Sequence, residues 1–456
     1  MHKELIGRRE ALEKLSLLFA CLTVPVSHWA FDETGRPLIL PQKKTKVKKP
    51  VTAITIGAGN RGKLYGQYAL TYPEQLNIIG VAEPVESRRS FYSQAHQIDK
   101  DKIFNSWEKV FEKEKWADAV IITTPDDLHY EPCMTALRKG YDILLEKPIS
   151  PSEKECRDIL KLAEDTGRIV AVCHVLRYAP YFVRLREIIQ SGILGNVVSM
   201  QHFEPIHHIH MAHSYVRGNW HNSKKSAPII LAKSCHDLDI IKWMLGKKST
   251  HIHAFGNLSW FRLQNAPKGS TDRCTEGCKA ESQCPYSALK VYAKDRSYLH
   301  HFDLSDQPEN HQKEILHYLN TSNYGRCVYR MENDQPDHYI TNILFEGDTT
   351  ASFSMEAFTS YHGRRTRIMG SLGDITGDMS SFIYTDFLTG AREEWSMNTD
   401  SHGGGDWNLV RDWIEAVDNQ DSSLLTSTIA DSIESHIMGF QAEESRKNKS
   451  VQKIIL

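Results

Sequence analysis

Apolar positions along this chain follow two different periods. A short β-branched run, Val51-Thr52-Ala53-Ile54-Thr55-Ile56, enters a turn with three glycines, Gly57-Ala58-Gly59-Asn60-Arg61-Gly62, and a helical pattern follows. Further apolar runs at Leu76 to Ala82, Ala119 to Thr123 and Tyr141 to Leu145 alternate with helical stretches such as Tyr130 to Lys139. That alternation predicts a parallel sheet with helices on both faces over residues 51–172. Ligands of such sheets sit beyond the carboxyl ends of the strands. Three loops meet there: Gly57 to Gly62, Thr124 to His129, and Glu146-Lys147-Pro148.

After residue 172 the pattern changes. Val197 to Glu204, Ser249 to Leu258, Asp337 to Phe345, Thr350 to Ala357, Thr366 to Gly370 and Phe382 to Phe387 read as strands separated by turn signals. Ile229 to Leu245 reads as one helix stopped by Gly246, and Trp407 to Val417 and Thr428 to Ser445 as two more. A chain of 456 residues is too long for one ordinary core, so two domains are expected. The formal net charge of -2 gives no reason to expect nucleic acid as a partner. No apolar run reaches the roughly 20 residues that span a bilayer.

Residues 1–50 read as a leader and linker outside the fold. Arg8-Arg9-Glu10-Ala11-Leu12 ahead of the apolar Leu15 to Val26 resembles a twin-arginine export signal, which would make the protein periplasmic or exported. The acidic residues Glu4, Glu10 and Glu13 fit a surface-docked helix instead, which would leave the protein cytoplasmic.

The glycine turn carries the first chemistry. A pyrophosphate needs backbone N–H donors at a helix N-terminus with no side chain in the way. Gly57 would permit the tight turn, Gly59 the approach of the phosphates, and Gly62 the packing of helix on strand. Glu83, about twenty residues past Gly62, is placed to bond the adenine ribose and to repel a 2′-phosphate, favouring NAD over NADP. Arg88 and Arg89 close behind would blunt that preference.

Thr124-Pro125-Asp126-Asp127-Leu128-His129 followed by Glu146-Lys147-Pro148 behind such a turn resembles the glucose-fructose oxidoreductase and inositol dehydrogenase family (Gfo/Idh/MocA). His174 to Pro180, the Trp220 region, Cys235-His236-Asp237-Leu238-Asp239 and Gly363 to Asp378 resemble it too. The resemblance implies a Rossmann domain over 51–172 and an α+β domain over 173–450 whose open sheet is large and mostly antiparallel. It further implies a homo-oligomer, a dimer or tetramer. It places cofactor contacts at Gly57, Gly59, Asn60, Arg61, Gly62, Glu83, Thr124, Pro125, His129, Glu146, Lys147 and Arg177. It assigns Lys147 to the gap between nicotinamide and substrate, and His236 to the catalytic base. Where the family carries an aspartate four residues before that histidine, this chain has Ala232, beside Lys233. Either Lys233 supplies a second positive contact, or Asp237 or Asp239 orients the ring. Tyr178, His213, Arg217 and Trp220, with Lys147 and His236, are the expected substrate contacts; a pocket lined by Trp, Arg and His suits a polyol.

Two clusters remain. His207, His208 and His210 lack the i, i+4 spacing of a zinc pair. Cys274, Cys278 and Cys284 fall in a polar insertion near 265–330, and either hold a structural metal, with Cys327, His300 or His301 as fourth ligand, or form a disulfide or free thiols. The expected function is NAD-dependent hydride transfer on a sugar, sugar derivative or cyclitol. The alternatives are a redox-neutral NAD-dependent glycoside hydrolase and a sugar sensor that keeps NAD as a structural part.

Overall fold

The computed structural model describes residues 47–456 except 303, 306 and 398–403. The expected leader therefore falls, up to residue 46, outside the described residues. Six strands, β1 (Val51–Ile56), β2 (Leu76–Ala82), β3 (Ile103–Phe104), β4 (Ala119–Ile122), β5 (Asp142–Leu145) and β6 (Val170–Val172), form one sheet in the order β3-β2-β1-β4-β5-β6. Every pairing in it is parallel. The order reverses between β1 and β4, which opens a crevice at the carboxyl edge beside the glycine turn.

Alternate side chains go to opposite faces. Ile54, Ile56, Val120, Ile122, Ile143 and Leu145 pack with Cys133, Leu137 and Ile159 of the helices Tyr130–Arg138 and Glu153–Thr166. Val51, Ala53 and Ile121 pack on the other face with Tyr65, Tyr68, Leu409, Trp413 and Ile414. The last three belong to the helix Gly405–Asn419. A helix from late in the chain thus covers the first sheet, which sequence order alone does not suggest.

The second sheet has nine strands in the order β14-β13-β12-β11-β7-β10-β9-β8-β15. These are β7 (Val197–Pro205), β8 (Ser249–Asn257), β9 (His338–Phe345), β10 (Thr350–Glu356), β11 (Arg365–Gly370), β12 (Gly373–Gly377), β13 (Ser381–Asp386), β14 (Arg392–Ser396) and β15 (Gln452–Lys453). Of its pairings β10 with β7 is parallel and the others are antiparallel. Its inner face packs Ile252, Ala254, Ile343, Phe353 and Met355 beneath Leu238, Ile241, Ile437 and Met438 of the helices Cys235–Leu245 and Ile429–Asn448. Phe255 and Ile340 stand exposed on the opposite face.

The helix expected over Ile229 to Leu245 is two helices, Ile229–Ala232 and Cys235–Leu245, broken at Lys233 and Ser234. The break turns the Ala232 carbonyl out of the helical ladder, with consequences for the site. The insertion is a folded unit with its own apolar cluster of Ala288, Val291, Tyr292, Phe302, Ile315 and Leu319. No helix among the described residues is long and apolar enough to cross a membrane.

Candidate active site

The glycine turn has the geometry a dinucleotide requires. Gly57 has φ +94°, and a Cβ there would lie 2.7 Å from the Thr123 carbonyl oxygen. At Gly62 a Cβ would lie 2.2 Å from the Gly57 oxygen, so helix and strand meet only without a side chain. At Gly59 a Cβ would meet nothing within 4 Å, so the space above the N-terminus of the helix Asn60–Thr71 is clear. No side chain caps that helix, leaving its first N–H groups for an anion. A Gly62→Ala variant is expected to lose about 1–3 kcal/mol of stability and at least tenfold in NAD affinity, measured by titration calorimetry; unchanged affinity would contradict this account of the turn.

Glu83 is buried at the end of β2, its carboxylate accepting from the Ala58 N–H at 2.8 Å and from the Val85 N–H at 2.9 Å. It braces the turn. Arg89 donates to the carbonyl oxygens of Glu83 and Pro84, so its charge is held against the backbone.

Lys147 follows β5. Its Nζ donates to the Ala232 carbonyl oxygen at 2.8 Å. The ammonium thus ties the end of β5 to the helix Ile229–Ala232 through the carbonyl that the helix break frees. Its charge reaches Asp126, His174 and Cys235. Glu146 is buried and accepts from Tyr65 Oη at 2.7 Å, from the Lys147 N–H at 3.0 Å and from Arg61. Burial alone would raise its pKa, but Arg61, Lys147 and the Tyr65 bond outweigh burial and hold it below the ordinary value. Arg61 also pairs with Asp406 at 2.7 Å. Arg61, expected at the cofactor, is therefore a clasp between the glycine turn, the Glu146 loop and the helix Gly405–Asn419. Asp406 lies in the first turn of that helix, whose N-cap is Gly404.

His129 has Nδ1 2.7 Å from the Pro148 carbonyl oxygen and Nε2 2.9 Å from the Thr124 carbonyl oxygen. Expected at the cofactor, it ties the two loops together. Thr124 donates to the Leu128 carbonyl oxygen, and Pro125 is exposed beside it. Asp126 in the same loop is buried and accepts from Trp220 Nε1 at 2.9 Å. Burial raises its pKa against the pull of Lys147, His129 and the Trp220 bond. Reading the sequence singled out Trp220 but not Asp126, whose signal was its place in the motif between Pro125 and His129.

His236 lies at the start of the helix Cys235–Leu245, 7% exposed, with its ring 5.9 Å from that of His174. Both expected orienting aspartates also hold arginines. Asp237 is bound to His202 at 3.0 Å and Arg364 at 2.6 Å. Asp239 makes a two-pronged pair with Arg177 at 2.6 and 2.7 Å, and lies 3.7 Å from His174 Nε2. Lys233 pairs with Glu204 at 3.0 Å, and Glu204 with Arg364 at 2.8 Å.

Several residues expected at the ligands have other work. Arg177 is buried between Asp239 and the carbonyl oxygens of Thr426 and Asp431. Tyr178 is buried against Ser427 and Thr426. His213 bonds Tyr292 and stacks on Tyr298 and Tyr324. Arg217 donates to the carbonyl oxygens of Arg326 and Tyr286, pinning the insertion. With Arg217, the cysteines Cys274, Cys278, Cys284 and Cys327 line a cavity of about 20 Å³. Their thiols are free, and among the described residues no group of His, Cys, Asp or Glu is arranged to hold a metal ion. The expected structural metal therefore has no support.

Burial pushes several histidines down: His213 and His436 to about 3, with His174 and His210 well below the ordinary value. His436 Nε2 accepts the Ile149 N–H at 2.9 Å, a bond the protonated ring cannot accept. The unfolded chain takes up protons on these rings at about pH 6.5, while folded His213 and His436 refuse them until about pH 3. Stability is therefore expected to fall as pH drops through that window, by up to about 1.4 kcal/mol per pH unit per ring. Urea midpoints at pH 7.5, 6.5 and 5.5 check this, and a flat series would refute it.

A model of the oxidoreductase family's NAD-binding Rossmann fold matches residues 51–174, and one of that family's C-terminal alpha/beta domain matches residues 186–448. The chain is 25% identical over 320 residues to the oxidoreductase YteT of Bacillus subtilis (strain 168), covering 65% of this chain and 71% of that one. It is 25% identical over 211 residues to scyllo-inositol 2-dehydrogenase (NAD(+)) of the same organism, covering 46% of this chain and 58% of that one. A solved structure of levoglucosan dehydrogenase in complex with NADH and levoglucosan shares the fold, with a TM-score of 0.67 at 14% identity over 90% of this chain and all of that one. With both halves matched in order around a glycine turn and a bridging lysine, the chain belongs to the Gfo/Idh/MocA oxidoreductase family.

Proposed function

We propose that the protein oxidises a CH–OH group of a sugar, sugar derivative or cyclitol, with NAD as the hydride acceptor. The observation that carries this reading is the Lys147 ammonium at the carboxyl edge of the Rossmann sheet, held 2.8 Å from the Ala232 carbonyl oxygen across the cleft. NAD supplies a carbon that accepts hydride. The clear space over Gly59, the uncapped helix and Glu83 fit that group. Lys147 would hold the substrate oxygen and stabilise its developing negative charge. His236 would take the hydroxyl proton on Nε2 or Nδ1. Trp220, fixed by Asp126, would offer an apolar face to the sugar ring. Lys233, tied to Glu204, would add positive charge to the far wall. The exposed Phe255 and Ile340 support assembly of copies through the outer sheet face.

A panel of free sugars, polyols and aryl glycosides, with NADH absorbance and products recorded, tests the reading. Net NADH from a free sugar or polyol is expected; glycoside cleavage without net NADH would overturn it in favour of the redox-neutral cycle.

A further inference from the structure

The insertion reaches the cofactor turn. His301 Nδ1 lies 3.3 Å from Asn60 Nδ2, joining residues 241 apart in sequence. His301 stands at the end of a ring stack: His213 at 4.7 Å between centroids and Tyr324 at 6.5 Å with planes 26° apart. Arg273 and Arg326 bridge in antiparallel fashion, and the Cys274 and Cys327 N–H groups bond the Gly325 and Asp272 carbonyl oxygens. That closes the neck of the insertion and fixes its tip. From the opposite side comes half-buried Arg88, on the helix Glu86–Ala95 that follows Glu83. Burial first, then His300 and Arg88, hold His301 down at about 4, so its ring is neutral at physiological pH. Arg88 acts on the Tyr324 phenol as well.

We propose that the tip of the insertion closes the adenosine end of the cofactor site, so that His301, Tyr324, Asn60 and Arg88 bind the adenosine diphosphate half of NAD and slow its release. The inference rests on NAD being the cofactor. The chemistry is suited to it: flat neutral rings offer a stacking face to adenine, and a guanidinium meets adenine or phosphate. Glu83 stands at the base of the same space, and Gly59 leaves it clear.

The test is the rate at which labelled NAD leaves the loaded full-length protein during a chase with excess unlabelled NAD. His301→Ala and, from the other side of the cleft and outside the insertion's core, Arg88→Met are each expected to speed release about tenfold or more, while His301→Phe, which keeps the ring, stays within a few-fold of wild type. Melting without NAD checks that each variant is folded. NAD that binds wild type and leaves all four proteins at the same rate overturns the inference and spares the cofactor reading. A wild-type protein that neither carries NAD nor binds it in titration overturns both.

Discussion

Lys147→Met is expected to lower kcat by about 10²–10⁴ while changing the affinity for NAD far less. Methionine keeps the stem but removes the charge, and with it the donor now held by the Ala232 carbonyl. The ammonium also supports its surroundings, since it favours the ionised form of buried Asp126. Its removal is therefore expected to make Asp126 still harder to ionise. Steady-state kinetics with NADH absorbance, on a substrate found in the panel, makes the measurement. A loss of less than tenfold would mean that the lysine does not touch the reacting oxygen.

Asp237→Ala is expected to destabilise the protein by about 3–5 kcal/mol. Asp237 is fully buried between His202 and Arg364. Burial would push its pKa up, but Arg364 and His202 outweigh that and hold the carboxyl well below its ordinary range. Removing it leaves Arg364 desolvated with Glu204 alone. Because Glu204 also holds Lys233, the loss would reach the wall of the site. The double variant Asp237→Ala with Arg364→Met is expected to recover part of the loss, because no uncompensated charge stays buried. Urea unfolding of the three proteins decides it; a single variant within 1 kcal/mol of wild type, on the scale of an exposed pair, would refute the network.

The Rossmann half was legible because its signals are local. Strand, glycine turn, helix and acid lie within forty residues, and β1, β2, β4 and β5 fall where the apolar runs place them. In the second half the longer strands were legible too, but β12 was hidden between two turn-like glycines and β14 in a charged stretch. The break at Lys233 was missed because the apolar periodicity continues through it. Side-chain roles were less legible because they depend on partners hundreds of residues away. Arg61 meets Asp406, Arg177 meets Asp239 and the Thr426 carbonyl, and His129 meets Pro148. A charged residue in a family motif reads equally well as a ligand contact or as a clasp. Arg177, Tyr178, His213 and Arg217 are all nearly inaccessible. At position 232, where the resemblance would put an aspartate, the backbone carbonyl accepts from Lys147.

The most direct test of hydride transfer uses a substrate from the panel carrying deuterium on the carbon that bears the reacting hydroxyl, in ordinary water with NAD. Hydride transfer on the Rossmann edge predicts NADH with one deuterium at C4 of the nicotinamide, on one face, and a turnover slowed by the label unless release of product limits it. NADH without deuterium, or a labelled substrate that exchanges with solvent and yields no NADH, would contradict it.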